Sequence, residues 1–93
     1  MSLELQNRVA LITGAARGIG AAIAQHLSDA GAKIAIADLD GEGAKETAKT
    51  LKTPAIGLSA DASDETAMHS ATGRVVTELG SLDILVNNAG IGG

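Results

Sequence analysis

The stretch Thr13–Gly20, TGAARGIG, is what most restricts the fold of this chain. It follows directly on the apolar run Arg8–Thr13, RVALIT, and opens a segment with helical spacing. A short, continuous apolar run reads as a strand covered on both faces. The chain must leave such a strand through a tight turn, and Gly14 supplies the backbone freedom for it. The helix that follows presents free N–H groups and the positive end of its dipole. Strand, glycine turn and helix start together suit a bound phosphate. A glycine cluster alone also fits a plain strand-to-helix turn, so the rest of the chain has to decide.

Three more apolar runs follow. Lys33–Ala37 (KIAIA) ends at Asp38, Ala55–Ala60 (AIGLSA) ends at Asp61, and Asp83–Asn87 reads DILVN. The segments between them have helical patterning. Gly18–Ala30 carries Ile19, Ile23 and Leu27 on one stripe, and Gly31 is a helix stop. Gly41–Leu51 sets Glu42, Lys45, Glu46 and Lys49 against Ala44, Ala48 and Leu51. Ser63–Leu79 opens with Asp64 and Glu65 in its first turn and places Met68, Thr72, Val75, Val76 and Leu79 on an apolar stripe. Gly80 ends it. Pro54 resists any continuation of the second helix. Gly73 weakens the third by about 1 kcal/mol relative to alanine.

The order is β-α-β-α-β-α-β, which predicts an α/β fold built from parallel βαβ units. Right-handed crossovers put helices on both faces of a four-stranded parallel sheet in the order 3-2-1-4, a Rossmann-like half-domain.

Composition narrows the function classes. The 93 residues carry a net charge of −4, against the basic face that nucleic-acid binding needs. There is no cysteine, so a disulfide framework and a thiolate metal site are both excluded. No apolar run approaches a membrane span. The start, MSLELQNRVALITG, has no basic n-region and no cleavage site, which predicts no signal peptide and a soluble, cytoplasmic protein. There is no Phe, Trp or Tyr, so the core must be built from Ile, Leu, Val and Ala, and modest stability is expected.

Each predicted strand ends in polar or glycine residues at its carboxyl end, where open α/β sheets bind ligands. Gly14, Gly18 and Gly20 serve the turn, the close approach to a pyrophosphate and the packing of helix on sheet. Asp38 can accept hydrogen bonds from an adenosine ribose and would repel a 2′-phosphate; the alternative is a carboxylate capping a turn. The following DLDGEG contains no cation, and Arg17 is the only one nearby. NAD is therefore expected over NADP. Asp40 reads as a turn cap. Asp61 either contacts an adenine amino group or caps the third helix, a task Ser63 or Asp64 could also perform. His26 and His69 fall within predicted helices and read as solvent-facing. Ser59 and Ser81 have no His–Asp arrangement to activate them.

T-G-x-x-x-G-x-G at Thr13–Gly20 together with DILVNNAG at Asp83–Gly90 resembles the short-chain dehydrogenase/reductase family, in order and spacing over essentially the whole chain. The resemblance implies that the Gly14–Ile19 loop, with Ala16, Arg17 and Gly18, faces the pyrophosphate. It implies that Asp38 and Leu39 flank the adenosine ribose, and that Asp61 and Ala62 flank the adenine. Asn88, Ala89 and Gly90 would line the cofactor near its ribose, and Asn87 would tie the central strands. The family's Tyr-x-x-x-Lys pair, the serine before it and an asparagine on the following helix lie further along the family's chain. With no tyrosine here, no catalytic residue is assigned.

The 93 residues are thus expected to be the N-terminal, dinucleotide-binding half of an oxidoreductase, inactive alone. A stop after NNAGIGG suits an excised or engineered half-domain, or part of a longer protein. Two alternatives stay open: a structural half-Rossmann module that self-assembles and binds nucleotide weakly or not at all, and a mononucleotide binder preferring ADP or AMP. The run DILVN is expected to form an exposed edge that pairs two copies into a dimer.

Overall fold

The computed structural model describes residues 4–89. Its elements are β1 (Val9–Thr13), α1 (Gly18–Asp29), β2 (Lys33–Asp38), α2 (Gly41–Lys49), β3 (Ala55–Ser59), α3 (Glu65–Leu79) and β4 (Ile84–Val86). The four strands form one parallel sheet in the order β3-β2-β1-β4, as the alternation of apolar runs and helical segments predicts.

Every residue of β1 is buried, and so are Ile34–Ala37 of β2. β1 is hydrogen-bonded on both edges, pairing Val9 with Lys33 through Thr13 with Ala37 on one side, and Ala10 with Ile84 through Ile12 with Val86 on the other. The expected burial on both faces holds for these two strands only. β3 and β4 each have one bonded neighbour, and most of their residues are only partly covered. β4 is closed onto β1 at its base, where Val9 N–H donates to Asp83 Oδ2 and Asp83 N–H to the Val9 carbonyl, both at 2.8 Å.

Strand alternation splits the core into two layers. Ala10, Ile12, Ile34 and Ile36 pack against Ala24 of α1 and Ala44 and Ala48 of α2. Val9, Leu11, Ala35, Ala37 and Leu58 pack against Ala71, Val75 and Leu79 of α3. Helices therefore cover both faces. A core without aromatic rings works here because small side chains let helix backbones come close to the sheet. Gly57 is the extreme case: a Cβ there would run into the backbone of Ala44 and Lys45 in α2.

The same close approach changes two stripes. In α1 the buried residues are Gly20, Ala24 and Ser28, with Ile23 and Leu27 flanking them, while Ile19 is 74% exposed. In α3 Ala71 replaces Val76 among the buried positions, and Val76 faces solvent. In α1 the smallest side chains sit under the helix axis and the larger ones flank it; in α3 the buried line runs through Ala71, Val75 and Leu79, which leaves Val76 beside it.

Helix ends follow their caps. Asp40 caps α2, accepting from Gly43 N–H at 2.9 Å. Asp64 caps α3, accepting from Thr66 and Ala67 N–H, so it precedes the first turn instead of lying within it. Ser28, buried on α1, accepts from Lys52 and Thr53 N–H and holds the segment entering β3. No helix among the described residues is long and apolar enough to cross a membrane.

Two glycine substitutions should shift stability in opposite directions. Gly57→Ala meets backbone that cannot move aside and is expected to cost about 2 kcal/mol, on the order of 10 °C in Tm. Gly73→Ala, with no heavy atom within 4 Å of the new methyl, should stabilise α3 by up to about 1 kcal/mol. Thermal unfolding followed by circular dichroism measures both, and shifts of the same sign would contradict this packing.

Candidate functional site

The carboxyl ends of all four strands meet at a cleft of about 380 Å³. Gly14 lines it after β1, and Ala37, Asp38 and Leu39 line it at the end of β2. Ala60, Asp61, Ala62 and Ser63 contribute after β3, and Asn87 and Ala89 after β4. The cleft opens where the strand order reverses, since the chain runs outward from β1 in one direction to β2 and in the other to β4. Such a reversal leaves a crevice that helices cannot fill.

Each loop glycine has its own task. Gly14 has φ +64, and a Cβ there would sit 3.0 Å from Ala89 Cα. Gly18 has φ +67, with no heavy atom within 4 Å of the Cβ position, so the space beside it is open. Gly20 abuts the Gly14 carbonyl, and a Cβ there would fall 2.7 Å from Asn88 Nδ2 and 2.8 Å from Ala15 Cα. The close packing expected of Gly20 is thus against the turn and Asn88.

Asp38 holds backbone with both oxygens. Oδ2 accepts from Ala16 N–H at 3.1 Å and Oδ1 from Asp40 N–H at 2.9 Å. The turn-capping role is therefore present. A carboxylate has about four acceptor sites, so capacity for a further donor remains. Asp61 Oδ1 accepts from the Ser63 hydroxyl at 2.7 Å and from Ser63 N–H at 2.9 Å. These two bonds, the hydroxyl first, hold its carboxyl below the ordinary 3.8. Asp61 forms the turn before α3 and leaves the capping to Asp64.

The remaining predicted residues divide. Leu39, 75% exposed, and Ala62 line the cleft. Ala16 does not: it is buried, its carbonyl accepts from the Thr47 hydroxyl, and its methyl lies beside Gly43. Arg17 is paired with Asp40 instead of reaching the cleft, and Ile19 faces solvent. Asn88 donates to the Gly14 carbonyl at 3.0 Å, so its amide braces the turn. Gly90 lies outside the described residues. His26 and His69 are exposed on helices, as their positions predict.

Sequence reasoning missed the residues that hold the site together. The buried Thr13 hydroxyl donates to Asn87 Oδ1 at 3.1 Å and accepts from Ala89 N–H at 3.1 Å, joining the ends of β1 and β4. A threonine closing an apolar run was the available signal. Thr47 gave none, since nothing in α2 marks a partner 31 positions away. Asp38 and Asp61 put carboxylates on a cleft with no Lys or Arg in its lining.

Residues 8–93 match the model of the short chain dehydrogenase family, and the chain belongs to that family. It is 44% identical over 91 residues to the D-threitol dehydrogenase of Mycolicibacterium smegmatis, an alignment covering 95% of this chain and 35% of that protein. It is 39% identical over 89 residues to the sorbitol dehydrogenase of Cereibacter sphaeroides, and 44% identical over 89 residues to the galactitol 2-dehydrogenase of Agrobacterium fabrum. Each of these alignments covers 96% of this chain and 35% of the relative. The chain thus spans about a third of the length of the curated relatives it matches.

The acid limb of stability should carry the signature of the β1–β4 tie. Val9 N–H, and then the Ser81 hydroxyl, hold the Asp83 carboxyl below 3.8. A carboxylate with a lowered folded-state pKa stabilises above its unfolded value, and that stability disappears as pH falls through the folded pKa. Asp83→Asn should therefore be less stable than the parent near neutrality, with the gap narrowing between about pH 5 and pH 2. Denaturant unfolding across that range tests this; a constant gap would show that the charge is irrelevant.

Proposed function

We propose that this chain is the NAD(H)-binding portion of a cytoplasmic short-chain dehydrogenase/reductase-type oxidoreductase. The observation that carries the reading is that Asp38 and the Gly14 turn line one cleft at the reversal of the sheet, with Asp38 bonded to the loop at Ala16 N–H. Gly18 leaves open space beside a helix start, and Asp38 stands at the end of β2 on a cleft whose lining has no cation. An anionic diphosphate fits beside the Gly14–Ile19 loop, where Arg17 and the first N–H groups of α1 stand. A ribose fits beside Asp38 and Leu39, and an adenine between Asp61 and Ala62. Asn88 and Ala89 stand on the far side of that path. NAD would supply the hydride acceptor; these residues bind and orient its adenosine diphosphate half.

The donor set favours NAD over NADP. A 2′-phosphate would meet the Asp38 carboxylate, and the nearby Arg17 is engaged by Asp40. In the whole protein the reaction is hydride transfer between NAD and a hydroxyl or carbonyl substrate, in line with relatives named for oxidising alcohols. These 93 residues contain no tyrosine, and the chain alone is expected to catalyse no turnover.

NADH titration followed by cofactor fluorescence tests this, free of tryptophan or tyrosine background. Saturable binding of NADH, weaker binding of NADPH and a smaller preference in Asp38→Asn are expected. Absence of binding by a folded chain, or a preference for NADPH, overturns the reading. It would leave a half-Rossmann scaffold; a preference for ADP or AMP over NADH would make the site a mononucleotide binder.

A specific observation also supports self-association. Among the described residues β4 is bonded to β1 alone, and Leu85 at its centre is 58% exposed, beside Met68 and Thr72 of α3. Two copies pairing β4 about a two-fold axis would cover that edge, which in a longer chain a further strand could take. Sedimentation at tens of micromolar should show a dimer that Leu85→Lys dissociates; a monomeric parent would rule it out.

A further inference from the structure

We propose that Thr47 is a positioning residue for the phosphate-facing loop, acting through the peptide between Ala16 and Arg17. The inference rests on the dinucleotide reading above and extends it to a residue on α2 outside the cleft.

Both polar groups of Ala16 are held from the β2–α2 side. Its N–H donates to Asp38 Oδ2 at 3.1 Å, and its carbonyl accepts from Thr47 Oγ1. Gly43 leaves room for its methyl, which would lie 3.2 Å from a Cβ at that glycine. A trans peptide is planar, so its N–H points opposite to its carbonyl. Fixing the Ala16 carbonyl towards α2 therefore turns the N–H of Arg17 away from α2. It also keeps a carbonyl dipole out of the open space beside Gly18. Without the hydroxyl, that carbonyl has no partner on α2, and the peptide is free to rotate. Rotation would replace a donor with an acceptor where an anion must approach, which weakens anion binding at a helix start.

No other side chain performs this task. Asp38 holds the preceding peptide through the Ala16 N–H, Arg17 is tied through its guanidinium to Asp40, and the Arg17 carbonyl, which accepts from Ala21 N–H at 3.4 Å, belongs to the following peptide. Thr47 is thus the one group that sets this plane among the described residues.

The test compares the parent chain with Thr47→Val, which keeps the shape and removes the hydroxyl, and Thr47→Ser, which restores it. Two readouts are needed. In the unliganded proteins, Thr47→Val should shift or broaden the amide NMR signals of Arg17 and Gly18 while those of β1 and β2 stay put, and Thr47→Ser should resemble the parent. In titrations, Thr47→Val should weaken ADP and NADH by about tenfold, a loss of one positioning hydrogen bond, and leave adenosine unaffected. Thr47→Ser should stay within about twofold of the parent.

Unchanged loop signals in Thr47→Val overturn the proposal, whatever the titrations give. Equal weakening of adenosine and ADP also overturns it, since that is the mark of a general loss of structure. If the parent binds neither NADH nor ADP, the dinucleotide reading fails, and the amide signals still decide the role of Thr47.

Discussion

The organising constraint is the confinement of β1. It is buried on both faces and hydrogen-bonded on both edges, so nothing wider than a backbone can leave its carboxyl end. Residues with left-handed backbone angles at Gly14 and Gly18 are the solution, because a Cβ at Gly14 would press on Ala89 and both angles strain ordinary residues. The α1 start is then pulled in until Gly20 touches the turn it came from. A ligand pocket follows from this congestion. β2 and β4 lie on opposite sides of β1, and among the described residues no helix lies over the place where they part.

The walls of that pocket are braced unequally. On the β4 side, Thr13, Asn87, Asn88 and Ala89 join two strand ends through neutral hydrogen bonds. On the β2 side, the bracing is charged and comes from Asp38 and the Arg17–Asp40 pair. The exposed ion pair contributes little to stability by itself. Its significance is electrical: it neutralises the loop's own cation and leaves the acidic side chains to set the character of the cleft.

Elements and topology were legible because the chain repeats one grammar four times: an apolar run that ends in a polar residue or glycine. Double burial made the inner runs unmistakable, and helix limits fell within a residue or two of their caps. The α1 stripe was misjudged at Ile19 because periodicity weighs large side chains, whereas close packing selects the smallest. Within the site, acidic residues at strand ends could be placed from sequence, since alternation assigns them to one edge. Their partners could not. That Asp38 would hold two backbone amides, that Asp61 would close a turn with Ser63, and that Thr47 would reach Ala16 all depend on three-dimensional proximity between segments without any sequence mark. Arg17 is the instructive case. The family resemblance put it in the loop that faces the pyrophosphate, and nothing in the sequence marked Asp40 as the partner of its guanidinium.

The tie between Val9 and Asp83 spans 74 positions. During synthesis at about 5–20 residues per second, roughly 4–15 s separate the emergence of the two partners from the ribosome. For that interval β1, buried along its whole length in the finished fold, can pair with β2 on one edge while its other edge has no mate. The nascent chain therefore passes through a stage in which its innermost strand is temporarily its outermost. Its period of greatest exposure to chaperones, or to wrong partners, is built into the order in which the strands are made.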